Sequence, residues 1–120
     1  MKNEGSKSLD REELLNRVEH DEELAREMLL IFQANSQTSR EALNAAVAAR
    51  NADEVRNVAH AFRGMLANLS ANPASAAAAH LEELAKEART DELAGAWKVF
   101  EKELGGVLLE VKHLLAGALK

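Results

Sequence analysis

Cysteine and tyrosine are absent from the 120 residues, proline occurs once, and aromatic residues make up only 3% of the chain. Each shortage excludes something. Without cysteine there is no disulfide, no thiolate zinc site and no cysteine nucleophile, which fits a reducing cytoplasm. With so few aromatics, the 47% hydrophobic content must rest on alanine and leucine. That favours close-packed helices over a β-sandwich, and the single proline and missing tyrosine point the same way. No run of about 18 apolar residues is available to span a bilayer. A net charge of −5 leaves no basic stripe to displace counterions, which argues against a nucleic-acid partner. Residues 1–7, Met1-Lys-Asn-Glu-Gly-Ser-Lys7, lack the apolar centre of a signal peptide and read as a disordered lead-in, of the kind left by cutting a domain from a longer protein. The remaining 8–120 suit one domain, able to bury about two thirds of its unfolded surface.

What is present is helical punctuation. Asp10-Arg-Glu-Glu-Leu-Leu-Asn-Arg-Val18 predicts a short first helix with Ser8 or Asp10 as N-cap. Asp21 can cap a second, whose apolar positions Leu24, Met28, Ile31 and Phe32 keep helical spacing. The polar run Gln33-Ala-Asn-Ser-Gln-Thr-Ser39 either bends that helix or gives it a wet face, and Leu43, Ala46 and Val47 resume the stripe. Asn51 starts a third helix, with Glu54 three residues on to complete a capping box, and its end is expected near Ser70 to Asn72. Asn72-Pro73 reads as a cap and a first helical residue. The helix so opened runs to about Arg89 and should bury Ala77, Leu81, Leu84 and Ala88.

Thr90-Asp91 opens the last helix. Leu93, Trp97, Phe100, Leu104, Val107, Val111, Leu114 and Ala118 step along it by threes and fours. Gly105-Gly106 interrupts it and marks either close packing or a slight kink. No repeat, strand signal or domain boundary is visible. The expected fold is all-α, an antiparallel four-helix bundle with a short additional N-terminal helix.

One histidine stands out. At about 100° per residue, Val55, Val58, Ala59, Phe62, Leu66 and Leu69 gather on one side of the third helix, and His60 points almost the opposite way. Its neighbours on that outer face are Asp53, Arg56, Asn57, Arg63, Gly64 and Ala67. An exposed imidazole between two guanidiniums, beside residues with little or no side chain, suits a ring that touches another protein and carries a phosphoryl group. Geometry alone leaves an ordinary exposed histidine as the alternative, and leaves Arg56 and Arg63 readable as a solvated face.

Ala59-His60-Ala61-Phe62-Arg63-Gly64, followed by Ala67-Asn68-Leu69, resembles the motif of histidine-containing phosphotransfer (HPt) domains, which reads roughly A-H-x-L-K-G-x-x-x-N-L-G. The likeness extends from about Leu9 to Leu115. Phe32 and Leu43 fall at the family's spacing in its second helix, Asn51 stands for its Asp cap, and Leu81-Glu82 matches its Leu-Glu pair. Four positions depart from the pattern. Arg63 replaces Lys, keeping the charge but as a planar fork. Met65 stands where a small residue is usual, Ser70 replaces Gly, and Ala74 replaces a larger aliphatic residue.

The resemblance implies a phosphocarrier of multistep two-component relays. His60 would accept a phosphoryl group from a receiver aspartyl phosphate and pass it to another receiver Asp. Near neutrality an imidazole nitrogen is a free nucleophile, which suits that task. Arg63, with Arg56 as the weaker candidate, would offset the phosphoryl charge. Gly64 and Ala67 would keep a low surface for the receiver, Asn57 would face it too, and Asn68 would join its rim or only hydrogen-bond near the helix end. The family has no kinase activity and holds no cofactor, the Mg²⁺ sitting on the receiver. Its partners are response-regulator receiver domains and, where the domain belongs to one, a hybrid histidine kinase. A cytoplasmic monomer is the simplest expectation.

Two rivals remain at this level. One is the phosphotransfer domain of a chemotaxis-type histidine kinase, and the other is a helical protein-interaction module without phosphotransfer. Autokinase dimerisation domains carry Glu or Asp after their histidine and a nearby proline; here Ala61 follows and no proline is near. No Gly-rich phosphate loop, metal cluster or catalytic triad supports a self-sufficient enzyme. His20, His80 and His113 lack zinc-ligand spacing. Glu12-Glu13 and Glu82-Glu83 read as solvated pairs, and Phe32, Phe62, Trp97 and Phe100 as core.

Overall fold

The computed structural model describes residues 8–118. A short helix α1 (Arg11–Arg17) precedes four longer ones: α2 (Glu22–Ala48), α3 (Ala52–Asn68), α4 (Asn72–Lys86) and α5 (Leu93–His113). A 3₁₀ turn (Thr90–Glu92) leads into α5 and a π-type turn (Leu114–Ala118) follows it. Short corners make neighbouring helices antiparallel, so α2 to α5 form the expected bundle with α1 in front. The lead-in over 1–7 lies outside the described residues.

Side-chain caps start three of the helices. Asp10 accepts from the Glu13 amide at 3.0 Å, Asp21 from Leu24 at 3.0 Å, and Asn51 from Glu54 at 3.1 Å. All four corners then turn through a non-glycine residue in the left-handed region, Glu19, Arg50, Ser70 and Ala88, with φ between 54° and 60°. At the α2–α3 corner the Arg50 amide donates to Val47 and the Asn51 amide to Ala46, both at 3.0 Å. The corners after α1, α3 and α4 repeat this paired pattern, the Schellman closure of a helix end.

That closure revises two caps. The Asn51 amide is already committed to Ala46, so Glu54 has no donor to reach and the capping box is half made. At the next corner Ala71 serves both as the closing residue of α3 and as N-cap of α4, without a side-chain bond. Asn72 and Pro73 therefore sit inside the first turn, and Asn72 donates to Glu13 of α1 at 3.2 Å instead. Helices α3 and α4 accordingly end at Asn68 and Lys86, short of the expected limits.

The core confirms α5 position by position from Leu93 to Leu114, and Phe62 meets Phe100 edge to face at 5.0 Å. It corrects α2. Ala25, Leu29 and Phe32 point inward, while Leu24 and Ile31 are 42% and 62% exposed and Met28 is half-buried. Both stripes share Phe32, and the inward one was masked by small Ala25. The polar run does not break α2; Ser36 is buried, and the rest of the run is exposed or half-buried. In α4 the run Ala76–Ala79 carries no phase of its own, so Ala74, Ala78 and Ala85 are buried where Ala77 and Ala88 were expected. Val58 of α3 is half-buried.

Gly105 and Gly106 leave α5 continuous. A Cβ on Gly106 would run into the Ser8 side chain, whereas one on Gly105 would meet nothing. Close packing thus accounts for one glycine of the pair. The segment that crosses there anchors α1: the Leu9 amide reaches Glu110, the Asp10 amide donates to the Ser70 carbonyl at 2.9 Å, and Arg17 Nε donates to the Ser70 hydroxyl at 3.0 Å.

An L-residue held in the left-handed region loses roughly 1–2 kcal/mol that glycine does not, less glycine's greater unfolded-state freedom. Arg50→Gly and Ala88→Gly are therefore expected to stabilise the fold by roughly 0.5–1 kcal/mol in urea unfolding. Ser70→Gly should gain measurably less, because it also removes the partner of Arg17.

Candidate functional site

Helix α3 buries Val55, Ala59, Phe62 and Leu66 against the other helices, and this fixes the opposite crest outward. His60 stands on that crest with its side chain 62% exposed. Arg56, Asn57, Gly64 and Asn68 are exposed around it, and Ala67 is half-buried. A Cβ at Gly64 would touch nothing within 4 Å, so no internal neighbour requires glycine there. Toward the C-terminal end of α3, Met65, Asn68 and Leu69 join Met28, Ile31 and Phe32 of α2 around an apolar groove of about 160 Å³.

On its other flank α3 packs most closely on α4. The alanine-rich face of α4 permits the approach, and the Ser75 hydroxyl donates to the Arg63 carbonyl at 3.0 Å. Seven residues along, about two turns, the same face of α4 presents Glu82. Its side chain is only 9% exposed, and the sequence expectation of a solvated Glu82-Glu83 pair holds for Glu83 alone. Glu82 Oε2 lies 2.9 Å from His60 Nδ1, and Oε1 lies 3.2 Å from Arg63 Nη1. Arg63 Nη2 is itself 3.2 Å from His60 Nδ1.

A carboxylate moved out of water is costly unless it is paired. Here the ring N–H bonds Oε2 and the Arg63 cation pairs with Oε1 by charge alone, since that buried oxygen accepts no hydrogen bond from the described residues. When Nδ1–H donates to Glu82, the neutral ring keeps its lone pair on Nε2, at the exposed crest. A nucleophilic nitrogen thus faces solvent while its opposite edge is anchored by the fold.

The sequence profile of the Hpt domain family matches residues 27–119. The chain belongs to the Hpt domain family. The crystal structure of histidine-containing phosphotransfer protein B (HptB) from Pseudomonas aeruginosa PAO1 superposes with a TM-score of 0.84 at 25% identity, covering 92% of this chain and 96% of that one. Curated proteins yield no match to the sequence. The helical bundle is therefore that of an Hpt domain, with α1 lying ahead of the profile match.

Within this Hpt domain the candidate residues divide into three groups. His60 and Arg63 meet around Glu82, whereas Arg56 and Asn57 share the crest, and Asn68 lines the groove about 12 Å along the helix axis. Glu82 is the residue that reading α4 alone missed. The match of Leu81-Glu82 to the family pair was the available signal, but it named a residue without saying that it reaches His60. Read on α4 alone Glu82 belongs to a solvated pair, and only the α3–α4 pairing says what it touches.

Glu82→Met keeps the buried chain volume and removes a desolvated charge, while Arg63, 44% exposed, stays hydrated. The variant is expected to match or exceed wild type in urea unfolding, within about 1 kcal/mol. A much larger loss would mean that the carboxylate is a structural support.

Proposed function

We propose that His60 is the phosphoacceptor of this phosphocarrier, receiving a phosphoryl group from a receiver aspartyl phosphate and passing it to another receiver Asp. Membership of the Hpt domain family makes the chain a phosphotransfer domain of two-component relays. The observation that carries the residue assignment is the Nδ1–Glu82 contact at 2.9 Å beneath an exposed ring. It leaves Nε2 as the nucleophile. The Nε2 lone pair attacks phosphorus as the bond to the Asp oxygen breaks, and the receiver carboxylate leaves with that electron pair. The ring becomes a phosphoimidazolium whose proton remains on Nδ1, held against the Glu82 carboxylate. Return transfer runs the same steps backward, so flow follows the receivers' phosphorylation state.

Transfer of this kind depends on placement and charge more than on covalent activation. Arg63 brings positive charge to the ring, with Arg56 one turn earlier on the same crest. Gly64 and Ala67 keep the helix surface low, so a receiver can close over Nε2, with Asn57 facing it from the same crest. The groove between Met28, Ile31, Met65 and Asn68 gives that receiver an apolar seat further along α3 from the ring. The receiver contributes Mg²⁺ and the aspartate, and this chain contributes the nucleophile without ATP or kinase chemistry. No helix among the described residues is long and apolar enough to cross a membrane. We place the domain in the cytoplasm as a monomer that closes its own core.

The test presents wild type and His60→Gln to a panel of phosphorylated receivers and follows acid-labile, alkali-stable label. Wild type should accept label from at least one receiver and His60→Gln from none; label on the mutant would refute the assignment. Labelling by the ATP-binding domain of a chemotaxis-type kinase, and by no receiver, would move the chain to that class. Gly64→Gln should slow transfer at least about tenfold by blocking approach. Its melting temperature should hold or rise, since glycine in a helix interior is disfavoured by about 1 kcal/mol relative to alanine and no neighbour would be displaced.

A further inference from the structure

We propose that Arg63 and Glu82 compete for the single hydrogen-bonding position at Nδ1 of His60. Arg63 is then a positioning residue that sets how many rings present a free Nε2. The inference rests on His60 being the phosphoacceptor. An imidazole Nδ1 holds one in-plane position, occupied either by a proton or by a lone pair. Ionised Glu82 can only accept, so its 2.9 Å contact requires Nδ1–H. Arg63 can only donate, so the 3.2 Å approach of Nη2 becomes a hydrogen bond only when Nδ1 carries the lone pair. The two bonds exclude each other.

They also have opposite consequences. With the proton on Nδ1, Nε2 carries the lone pair and can attack phosphorus. With Arg63 bonded to Nδ1, the ring proton sits on Nε2, and the nitrogen facing the receiver has nothing to donate to the new bond. The exchange moves one proton between the two nitrogens through solvent at the exposed edge and leaves the ring neutral. Both bonds are charge-assisted, and the shorter one, to Glu82, favours the receptive form while Arg63 opposes it.

Arg63 is suited to this double part because its fork has two ends. Nη1 stays within 3.2 Å of Glu82 Oε1, an ion pair without a hydrogen bond, while Nη2 faces the ring. Lysine, the residue usual at this position, offers one compact ammonium and cannot hold that geometry. With its side chain 44% exposed, the guanidinium has room to swing outward. An arriving phosphoryl group offers it a stronger anionic partner than a neutral ring nitrogen. Its withdrawal leaves Nδ1 to Glu82 alone, so the approach of the donor completes the acceptor.

The experiment reads the tautomer directly. Protein with ¹⁵N-labelled histidine rings is observed by long-range ¹H–¹⁵N correlation NMR at a pH where the His60 ring is neutral, in wild type, Arg63→Met and Glu82→Gln. Arg63→Met should raise the ratio of Nδ1–H to Nε2–H rings by roughly threefold or more, the scale of one modest hydrogen bond. Glu82→Gln, whose amide can donate to Nδ1, should move the ratio the other way. An unchanged ratio in Arg63→Met, or a shift toward Nε2–H, overturns the competition. These ratios are measured without any receiver. Failure of wild type to accept phosphoryl from the receiver panel would instead remove His60's assignment and leave the ratios standing.

Discussion

Burial of one carboxylate between two helices organises the site. Glu82 sits at the α3–α4 contact with almost no access to water, and a charge in that position has to find partners within a few ångströms. It finds two on α3, His60 and Arg63, spaced by three residues and so on one side of the helix. The pairing orients the imidazole from behind and leaves its other edge at the surface.

The register that brings these groups together is set away from the ring. Ala74 and Ala78 let α4 approach α3 closely, and the Ser75 hydroxyl grips the Arg63 carbonyl. Helix α1 braces the corner between the two helices through Ser70, and Phe62 of α3 is held by Phe100 of α5 from the core side. A shift of α4 by one residue would turn Glu82 by about 100° and leave the carboxylate without its partners. The site therefore inherits its precision from packed elements, and no loop supplies any of its residues.

Several features sit badly with stability and well with phosphotransfer. Gly64 occupies a helix interior where nothing inside the fold asks for glycine. Ile31 and Met28 leave apolar surface on α2 in the groove they share with Met65 and Asn68 of α3. A buried carboxylate stands where an apolar side chain would pack. Concentration of such local departures around one imidazole is what a functional site looks like in an otherwise consistent sequence.

Much of this was legible in the chain alone. Helical spacing, the Asp and Asn caps and the shortage of aromatics pointed to an all-α bundle, because those signals act within a few residues of one another. The outward direction of His60 followed from the phase of Val55, Ala59, Phe62 and Leu66 on one helix. Phase was ambiguous where side chains were small or stripes doubled, as in the alanine run of α4 and at Leu24 and Ile31 of α2. The Asn72 cap was lost to Ala71 because the residue that closes α3 doubles as the N-cap of α4, one residue earlier than local pairing suggests. Glu82 belongs only to the tertiary structure. Its neighbours are 22 and 19 residues away in sequence, and whether a carboxylate on α4 meets water or a histidine depends on how closely two helices pack and in which register.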